Sequence, residues 1–230
     1  MSRKLVLFGE GQGDAQALPV LTTRLLKERK GWDALHVDKD APLTVGQVLG
    51  LAKDGYSKWR RLLGYALKRQ NVGGVLTVLD GDPTEYPIKS GHAFCAKTVA
   101  AEMARTAKEA VGAGQRFSLA VVFARMEFES WLIAGVESLA GHRMDDGRLA
   151  VDVGATCPLA DLEVGPRDAK GWLSQRMTMG YSSTRDQAAL VKLVDLELVR
   201  QKKMRSFQRL EHAIDQLIAA NRTNVHVCTP

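Results

Sequence analysis

The sequence predicts an α/β fold: a mostly parallel central sheet of about four strands flanked by helices, with a C-terminal helical extension. Two observations support this prediction. Short, nearly continuous apolar runs alternate with amphipathic helical segments, as in parallel sheets that are covered on both faces. The connections between the runs are also long enough for crossovers. With 230 residues, 45% of them hydrophobic and 25% charged, the chain can bury a sizeable core.

The first half of the chain supplies the predicted sheet. Its strands are assigned to the apolar runs at 4–8, 32–37, 73–79 and 117–123. Helices are predicted between and after them, where apolar residues recur at helical spacing, at 15–30, 45–52, 57–69, 91–111 and 127–133. Glycines punctuate this series, with Gly31 ending the first helix and Gly112 breaking the fourth.

The alternation weakens after Gly141, which sets the predicted organisation of the chain. Residues 144–165 mix acids, Gly and Pro and read as an irregular connection, whereas 167–177, 184–194 and 202–220 read as helices. We therefore predict an α/β core at 1–135 and a helical extension at 136–230, packed together as a single globular unit.

The formal net charge of +6 permits binding to nucleic acid or another polyanion. Basic side chains cluster in two predicted helices, and each cluster reads either as a nucleic-acid contact or as an ordinary solvated helix face. The first cluster comprises Lys58, Arg60, Arg61, Lys68 and Arg69, and the second comprises Lys202, Lys203, Arg205 and Arg209.

Cysteine spacing and hydropathy indicate the compartment. Cys95, Cys157 and Cys228 lie far apart without a C-x-x-C pair, so neither a zinc site nor a disulfide framework is supported. The apolar run at 5–8 is too short for a signal peptide, and no segment approaches the roughly 18 apolar residues of a membrane helix. We expect a cytoplasmic protein that does not bind membranes.

Carboxylates follow three of the predicted strands. Glu10 lies in the glycine-rich turn after the first strand, Asp80 and Asp82 follow the third, and Glu127 and Glu129 follow the fourth. The carboxyl ends of strands in an open parallel sheet form its ligand-binding edge. Acids that meet there repel one another unless a cation lies between them, and Mg²⁺ or Mn²⁺ is the usual partner of such oxygen ligands.

This pattern predicts metal-assisted phosphodiester chemistry. Asp80 and Asp82 are expected to hold the metal ion, Glu10 to act as acid/base or second ligand, and Glu127 or Glu129 to complete the site. Simpler explanations exist for each motif. Asp-Gly-Asp is a common turn sequence, and glutamates favour the first turn of a helix.

At these residues the sequence resembles the Toprim superfamily, which includes the metal-binding domains of topoisomerases, primases and overcoming-lysogenization-defect nucleases. The pattern is a Glu after the first strand and an Asp-x-Asp after the third, here Glu10 and Asp80-Gly81-Asp82. The sequence is most similar to a bacterial Toprim-like family of unknown function. The motif at 127–129 (Glu-Phe-Glu) and a distal pattern of Tyr181, Gln187, Ser206 and Phe207 carry that similarity.

The resemblance implies a Toprim-like, Rossmann-like fold and a Mg²⁺-dependent nuclease that cleaves DNA or RNA without religation. It also implies association with an AAA or ABC-type ATPase in bacterial defence against phage. The distal pattern further suggests that Lys170 lies near the substrate phosphate.

Two other functions compete with the nuclease. Gly9, Gly11 and Gly13 open a helix after a strand, and Asp38 ends the second strand, which partly mimics a dinucleotide-binding fingerprint. The spacing is G-x-G-x-G rather than G-x-G-x-x-G, and an acid inside the loop would repel a pyrophosphate. The third hypothesis is that the protein is a non-catalytic partner or regulatory subunit of an ATPase.

Overall fold

A single parallel sheet forms the centre of the molecule. The computed structural model describes residues 2–40, 42–82, 92–158 and 167–230. Within these ranges the sheet contains β1 (Arg3–Gly9), β2 (Leu35–Val37), β3 (Leu43–Thr44), β4 (Val72–Asp80), β5 (Ser118–Ala124) and β6 (Cys228–Thr229). The spatial order is β2-β1-β4-β5-β6, with β3 also paired to β1, and every pairing is parallel. The predicted α/β class and mostly parallel sheet are confirmed, with six strands in place of about four.

Helices flank this sheet where the sequence predicts them, and one more, Leu196–Gln201, lies between two of the predicted helices. They are α1 (Gln12–Glu28), α2 (Val48–Ala66), α3 (Ala96–Val111), α4 (Glu129–Ala134), α5 (Ala169–Ser174), α6 (Ala188–Leu193), α7 (Leu196–Gln201) and α8 (Arg205–Thr223). Val136–Ser138 forms a 3₁₀ turn, and Ser183–Gln187 forms a π-helical turn before α6. Among the helices of the described ranges, none combines the length and the apolar character needed to cross a membrane.

The helix α2 contains a break that the sequence pattern anticipated. Two separate helices were predicted at 45–52 and 57–69. The backbone leaves the helical region between Lys53 and Tyr56, and φ is positive at Asp54, Gly55 and Tyr56. The two apolar stripes therefore belong to two helical segments joined by a left-handed turn.

Each face of the sheet carries its own core, because side chains along a strand alternate between faces. The first core lies between one face and helices α1, α4 and α6–α8, and its strand residues include Leu5, Leu7, Leu76, Val78, Ala120 and Val122. The second core lies between the other face and helices α2 and α3, and its strand residues include Val6, Phe8, Val75, Leu79, Leu119, Val121 and Phe123. Both faces are thus covered, as the unbroken apolar runs predict.

The residues after 135 contribute to the same sheet and core. Helix α8 buries Leu210, Ile214 and Leu217 in the first core, and β6 pairs with β5 at Leu119 and Ala120. Among its described residues, the segment 136–230 therefore carries one short strand in addition to its helices. The boundary at residue 135 stays a prediction, with the first core extending across it.

Candidate functional site

The carboxylates predicted at the strand ends meet at one edge of the sheet. Strands β1, β4 and β5 are parallel neighbours, so Glu10, Asp80, Glu127 and Glu129 project from the same edge. We call these four side chains the acidic cluster. The Lys170 ammonium at the start of α5 lies among them, with its Nζ 3.0 Å from Glu127 Oε1, 3.5 Å from Asp80 Oδ2 and 3.7 Å from Glu129 Oε2.

Backbone hydrogen bonds hold the ends of the central strands together. The Gly81 N–H donates to the carbonyl oxygens of Ala124 and Met126, at 2.8 and 3.0 Å. The Asp80 N–H donates to Glu10 Oε2 at 3.2 Å, and the Phe128 N–H donates to Asp80 Oδ1 at 2.9 Å. The Glu10 and Asp80 carboxylates are therefore each positioned by a backbone N–H of a neighbouring segment.

The two glutamates that follow β5 reach into the C-terminal half of the chain. Glu127 Oε2 accepts hydrogen bonds from the backbone N–H groups of Ala169 and Lys170, at 2.9 and 3.3 Å. Glu129 is 1% exposed; its Oε1 accepts from the Tyr181 hydroxyl at 2.8 Å, while its buried Oε2 has no hydrogen-bond partner. This oxygen has the Lys170 ammonium at 3.7 Å but accepts no hydrogen bond, which is costly, and a ligand that reached it would be stabilised there.

A cavity of about 100 Å³ opens beside the cluster. It is lined by Glu10, Gly11, Gly13, Asp14, Asp80, Glu129, Lys170, Ser183 and Gln187. Asp14 is fixed there, with Oδ2 accepting from the Gly11 N–H and Oδ1 accepting from Gln187 Nε2, both at 2.9 Å. A β-carbon at Gly13 would lie 2.6 Å from Ser183 Cβ, so the glycine is what lets α1 approach the π-helical turn.

Burial raises the pKa values of three acids in the cluster, and the charge of Lys170 offsets this only in part. Burial raises the pKa of Glu10 to about 7, against the hydrogen bond from Asp80 and the charge of Lys170, which favour the ionised form. Burial likewise raises the pKa of Asp80 and of Glu129. Burial lowers the pKa of Lys170, but the charges of Glu129, Asp80 and Glu127 outweigh it, so that pKa lies above its usual value. One ammonium therefore compensates four carboxylates incompletely.

The cluster suits a hard cation in type and charge but is not arranged around one. In the part of the chain that the structure describes, no group of three or more His, Cys, Asp or Glu side chains has the geometry of a metal site. Lys170 provides the positive charge among the carboxylates, and its side chain is 44% exposed. Metal binding would require this ammonium to move outwards and Glu129 Oε2 to take up a ligand.

Asp82 lies apart from the other predicted ligands. Its side chain is exposed and does not line the cavity, although its negative charge helps to raise the pKa of Glu10. The role of Asp82 as a metal ligand stays a prediction.

The residues predicted to contact nucleic acid are dispersed. Besides Lys170, Lys58 lies near the cluster: its Nζ is 3.2 Å from the place of a β-carbon at Gly46, whose N–H donates to the Glu10 carbonyl. The others lie on exposed helix surfaces, in the turns that follow helices α2 and α7, or in ion pairs, namely Arg60, Arg61, Lys68, Arg69, Lys202 and Lys203.

Arg69 illustrates the difference in position. It precedes β4, whereas Asp80 ends this nine-residue strand, whose two ends lie about 26 Å apart. Arg69 Nη1 donates to the buried Asp38 carboxylate at 2.9 Å. Lys68 stacks on Tyr65 at the same end of α2, and Lys202 lies 3.7 Å from Glu137. Nucleic-acid contacts by these residues stay predictions.

The residues that suggested dinucleotide binding, Asp38 and the glycine-rich turn, form contacts within the protein. The Asp38 carboxylate binds both Arg69 and Lys4, with the Lys4 Nζ at 3.2 Å. The Gly11 N–H in the glycine-rich turn donates to Asp14. Neither the acid nor this amide of the turn is held ready for a ribose or a pyrophosphate.

Four residues complete the site beyond the predicted carboxylates: Asp14, Lys170, Tyr181 and Gln187. Tyr181 and Gln187 belong to the distal pattern noted in the sequence. That pattern marked the two residues but did not indicate what they contact. The prediction for Lys170 was contact with a phosphate, and the structure places its ammonium against the acids. The contact depends on how α5 docks against the segment after β5, which no local sequence pattern specifies.

Comparison with known proteins gives a family. No curated protein and no solved structure matches the chain. The family model described as "Domain of unknown function (DUF4276)" matches residues 9–215, a range that includes the whole acidic cluster and Lys170. Because this match covers most of the 230 residues, the chain belongs to the DUF4276 family.

Proposed function

We propose that the chain is a nuclease that hydrolyses phosphodiester bonds in DNA or RNA and uses Mg²⁺ or Mn²⁺ at the acidic cluster. The observation that supports this most is the meeting of four carboxylates at three neighbouring strand ends, where Glu10, Asp80 and Glu129 line one cavity. Purely structural acids seldom gather in this way, because their mutual repulsion costs stability.

The charge balance supports a divalent cation as the missing partner. The pKa values of Glu10, Asp80 and Glu129 are raised, so these groups tend to hold protons that a metal ion would replace. The neighbouring cavity of about 100 Å³ has room for an ion with several water molecules. Metal affinity should therefore increase as the pH rises through about 7, the pKa of Glu10.

The residues of the site divide into distinct roles. Asp80 and Glu129 would hold the ion, because each is buried at the cavity. One oxygen of each now faces the Lys170 ammonium and could bind the ion in its place. When bound, Mg²⁺ or Mn²⁺ supplies charge neutralisation and an activated water. Glu10 has a pKa of about 7 and can hold or accept a proton near neutral pH. Lys170, once displaced from the acids, can bind a phosphate oxygen.

The resemblance to the Toprim superfamily supports the same proposal. Its Glu and Asp-x-Asp elements fall at the ends of adjacent strands β1 and β4 in this fold. Lys58, near the Glu10 turn, is a candidate to guide the nucleic acid to the cluster. An ATPase partner and a role in phage defence follow from the resemblance alone and belong to the proposal.

A cleavage assay tests the nuclease. Single-stranded and double-stranded DNA and RNA are incubated with the protein and Mg²⁺, Mn²⁺ or a chelator. We expect metal-dependent cleavage that falls at least 100-fold in Glu10→Ala and in Asp80→Ala. Glu109→Ala is the matched control, since this glutamate is exposed on α3. Equal cleavage by the wild type and both acid variants would identify a contaminant and contradict the proposal.

The position of Lys170 favours a second candidate, a non-catalytic subunit of an ATPase. If the ammonium is a permanent counter-ion, the acids have no need of a metal. Calorimetric titration with Mn²⁺ separates the two functions. Binding by the wild type that is lost in Asp80→Ala supports the nuclease. Binding that appears only in Lys170→Met supports the subunit.

A further inference from the structure

A second and larger cavity lies on the other side of the Asp80-Gly81 turn. Its volume is about 620 Å³, within the range of small-molecule and cofactor sites. It lies among α3, the end of β5 and the start of α8.

The walls of this cavity are apolar and built from small side chains. Ala96 and Ala100 face it from α3, and Val121, Phe123 and Ala124 face it from β5. It remains open at this level because β6 pairs with β5 only at Leu119 and Ala120, below the last residues of the strand. The result is a slot at the sheet edge with an aromatic ring in its wall, suited to a flat ring system.

The charged residues of the cavity are all cationic. Lys97, Arg125, Arg205 and Arg209 line it, and no acidic side chain occurs among its described lining residues. Arg209 is half-buried; it donates from Nε to the Pro230 oxygen at 2.7 Å and from Nη2 to Thr229 Oγ1 at 2.9 Å, and burial alone lowers its pKa. Four cationic side chains around one cavity favour a ligand with negative charge.

The cavity and the acidic cluster share a thin wall. Asp80 lines the smaller cavity and Gly81 lines the larger one, and consecutive α-carbons are about 3.8 Å apart. A β-carbon at Gly81 would lie 2.7 Å from the Ala124 carbonyl oxygen, so only glycine lets the turn pack this closely on β5. A chain molecule that presents a phosphodiester to the acids would have its neighbouring unit beside the cavity.

From this arrangement we propose that the larger cavity binds one nucleotide of a single-stranded nucleic acid. Its base enters between the apolar walls near Phe123, and its phosphate contacts Arg205 and Arg209. The inference rests on the proposed nuclease function and adds the substrate class: a single strand, because a base held in a duplex cannot enter the slot.

Binding without cleavage provides the test. Anisotropy of a fluorescein-labelled oligothymidylate of eight nucleotides is measured with a chelator present, at several salt concentrations. The double variant Arg205→Gln/Arg209→Gln should bind at least tenfold more weakly, with a salt slope smaller by about 0.7 because one phosphate is no longer neutralised. Ala96→Trp, which fills the slot, should also weaken binding.

The matched control is Arg105→Gln/Lys108→Gln, which removes two exposed positive charges from α3 outside the cavity lining. It should change the affinity less than twofold. Equal weakening in the control and the cavity variant, or no weakening in the cavity variant, would overturn the inference. Thymidine monophosphate that competes as well as the oligonucleotide would also overturn it, since the site would then serve a free nucleotide.

The outcome is separable from that of the nuclease assay. Binding is measured with a chelator present, so it does not depend on cleavage at the acidic cluster. A wild-type protein that cleaves no nucleic acid would contradict the proposed function. The arginine variants test strand binding in the larger cavity without reference to cleavage. Strand binding that depends on Arg205 and Arg209 supports the cavity in either case.

Discussion

Lys170 controls the electrostatic balance of the acidic cluster. Its ammonium lies within 4 Å of three carboxylates. Removing one partner of a buried ion pair costs about 3–5 kcal/mol, because the remaining charge is left uncompensated. The Lys170 side chain is 44% exposed, so water screens part of the interaction and a smaller cost applies.

We predict that Lys170→Met lowers the free energy of unfolding by about 1–2 kcal/mol at pH 8. The loss should shrink at pH 5, where the raised pKa values of Asp80 and Glu129 let these acids take up protons. Urea unfolding at both pH values measures the difference. Lys192→Met is the control, because its partner Asp145 is exposed. A similar cost in both variants would mean that Lys170 behaves as an ordinary surface lysine.

Glu10 links stability to pH in the opposite sense from most acids. Its pKa rises from 4.5 to about 7 on folding, so the folded state holds the proton more tightly than the unfolded state. The stability contributed by protonated Glu10 is complete below about pH 4.5 and is lost as the pH rises through 7. Above pH 7 the folded protein carries a partly buried charge.

Glu10→Gln should therefore stabilise the protein at pH 8 by about 1–3 kcal/mol relative to the wild type, and much less at pH 5. Urea unfolding without divalent metal measures both values. Glu109→Gln on α3 is the control, since its side chain is 62% exposed. A gain that is the same at pH 5 and pH 8 would show that Glu10 does not titrate near 7.

The carboxylates of the site were predictable and their partners were not. Glu10, Asp80, Glu127 and Glu129 follow apolar strands, and parallel neighbours bring their ends together without further information. Lys170 and Tyr181 arrive from segments more than 40 residues later in the chain, through packing of α5 and the loop after it.

At the level of elements, pattern strength decided what the sequence could predict. Long apolar strands and amphipathic helices were recognised because periodicity accumulates over many residues. The strands β3 and β6 span two residues each, too few for any period to appear. They form because β1 and β5 have backbone N–H and C=O groups available for pairing, and this becomes apparent only in the assembled sheet.

The contact between α1 and the π-helical turn depends on one glycine. At Gly13 a β-carbon would meet Ser183 Cβ at 2.6 Å and the Ser183 carbonyl carbon at 2.9 Å. Since these atoms belong partly to the backbone, the turn would have to move. At Gly11, two residues earlier, the nearest atom would be Asp14 Oδ2 at 3.9 Å.

We predict that Gly13→Ala destabilises the protein by about 1–3 kcal/mol through overpacking. It should also loosen the hydrogen bond between Gln187 and Asp14, which holds the cavity wall. Gly11→Ala is the matched control and should change stability by less than about 1 kcal/mol. Chemical unfolding of the two variants compares them directly. A Gly13→Ala protein as stable as Gly11→Ala would show that the turn yields without cost.

For the whole molecule, the arrangement of the two cores decides how the chain unfolds. The first core joins strand residues such as Leu76 and Ala120 to Leu210, Ile214 and Leu217 of α8, which come from the end of the chain. The second core shares the same strands through their opposite faces. Loss of α8 would uncover one face of β4 and β5, so the α/β core and the C-terminal segment should unfold together.

The substitution Ile214→Ala tests this coupling, since Ile214 is 0% exposed on α8. We predict a loss of about 2–5 kcal/mol in the free energy of unfolding, the usual cost of such a cavity. Hydrogen–deuterium exchange should show faster exchange in β1 and α2 as well as in α8, because one cooperative unit opens. Gln208→Ala, exposed on the same helix, should leave exchange unchanged. Faster exchange confined to residues after 135 would instead define a separate C-terminal domain.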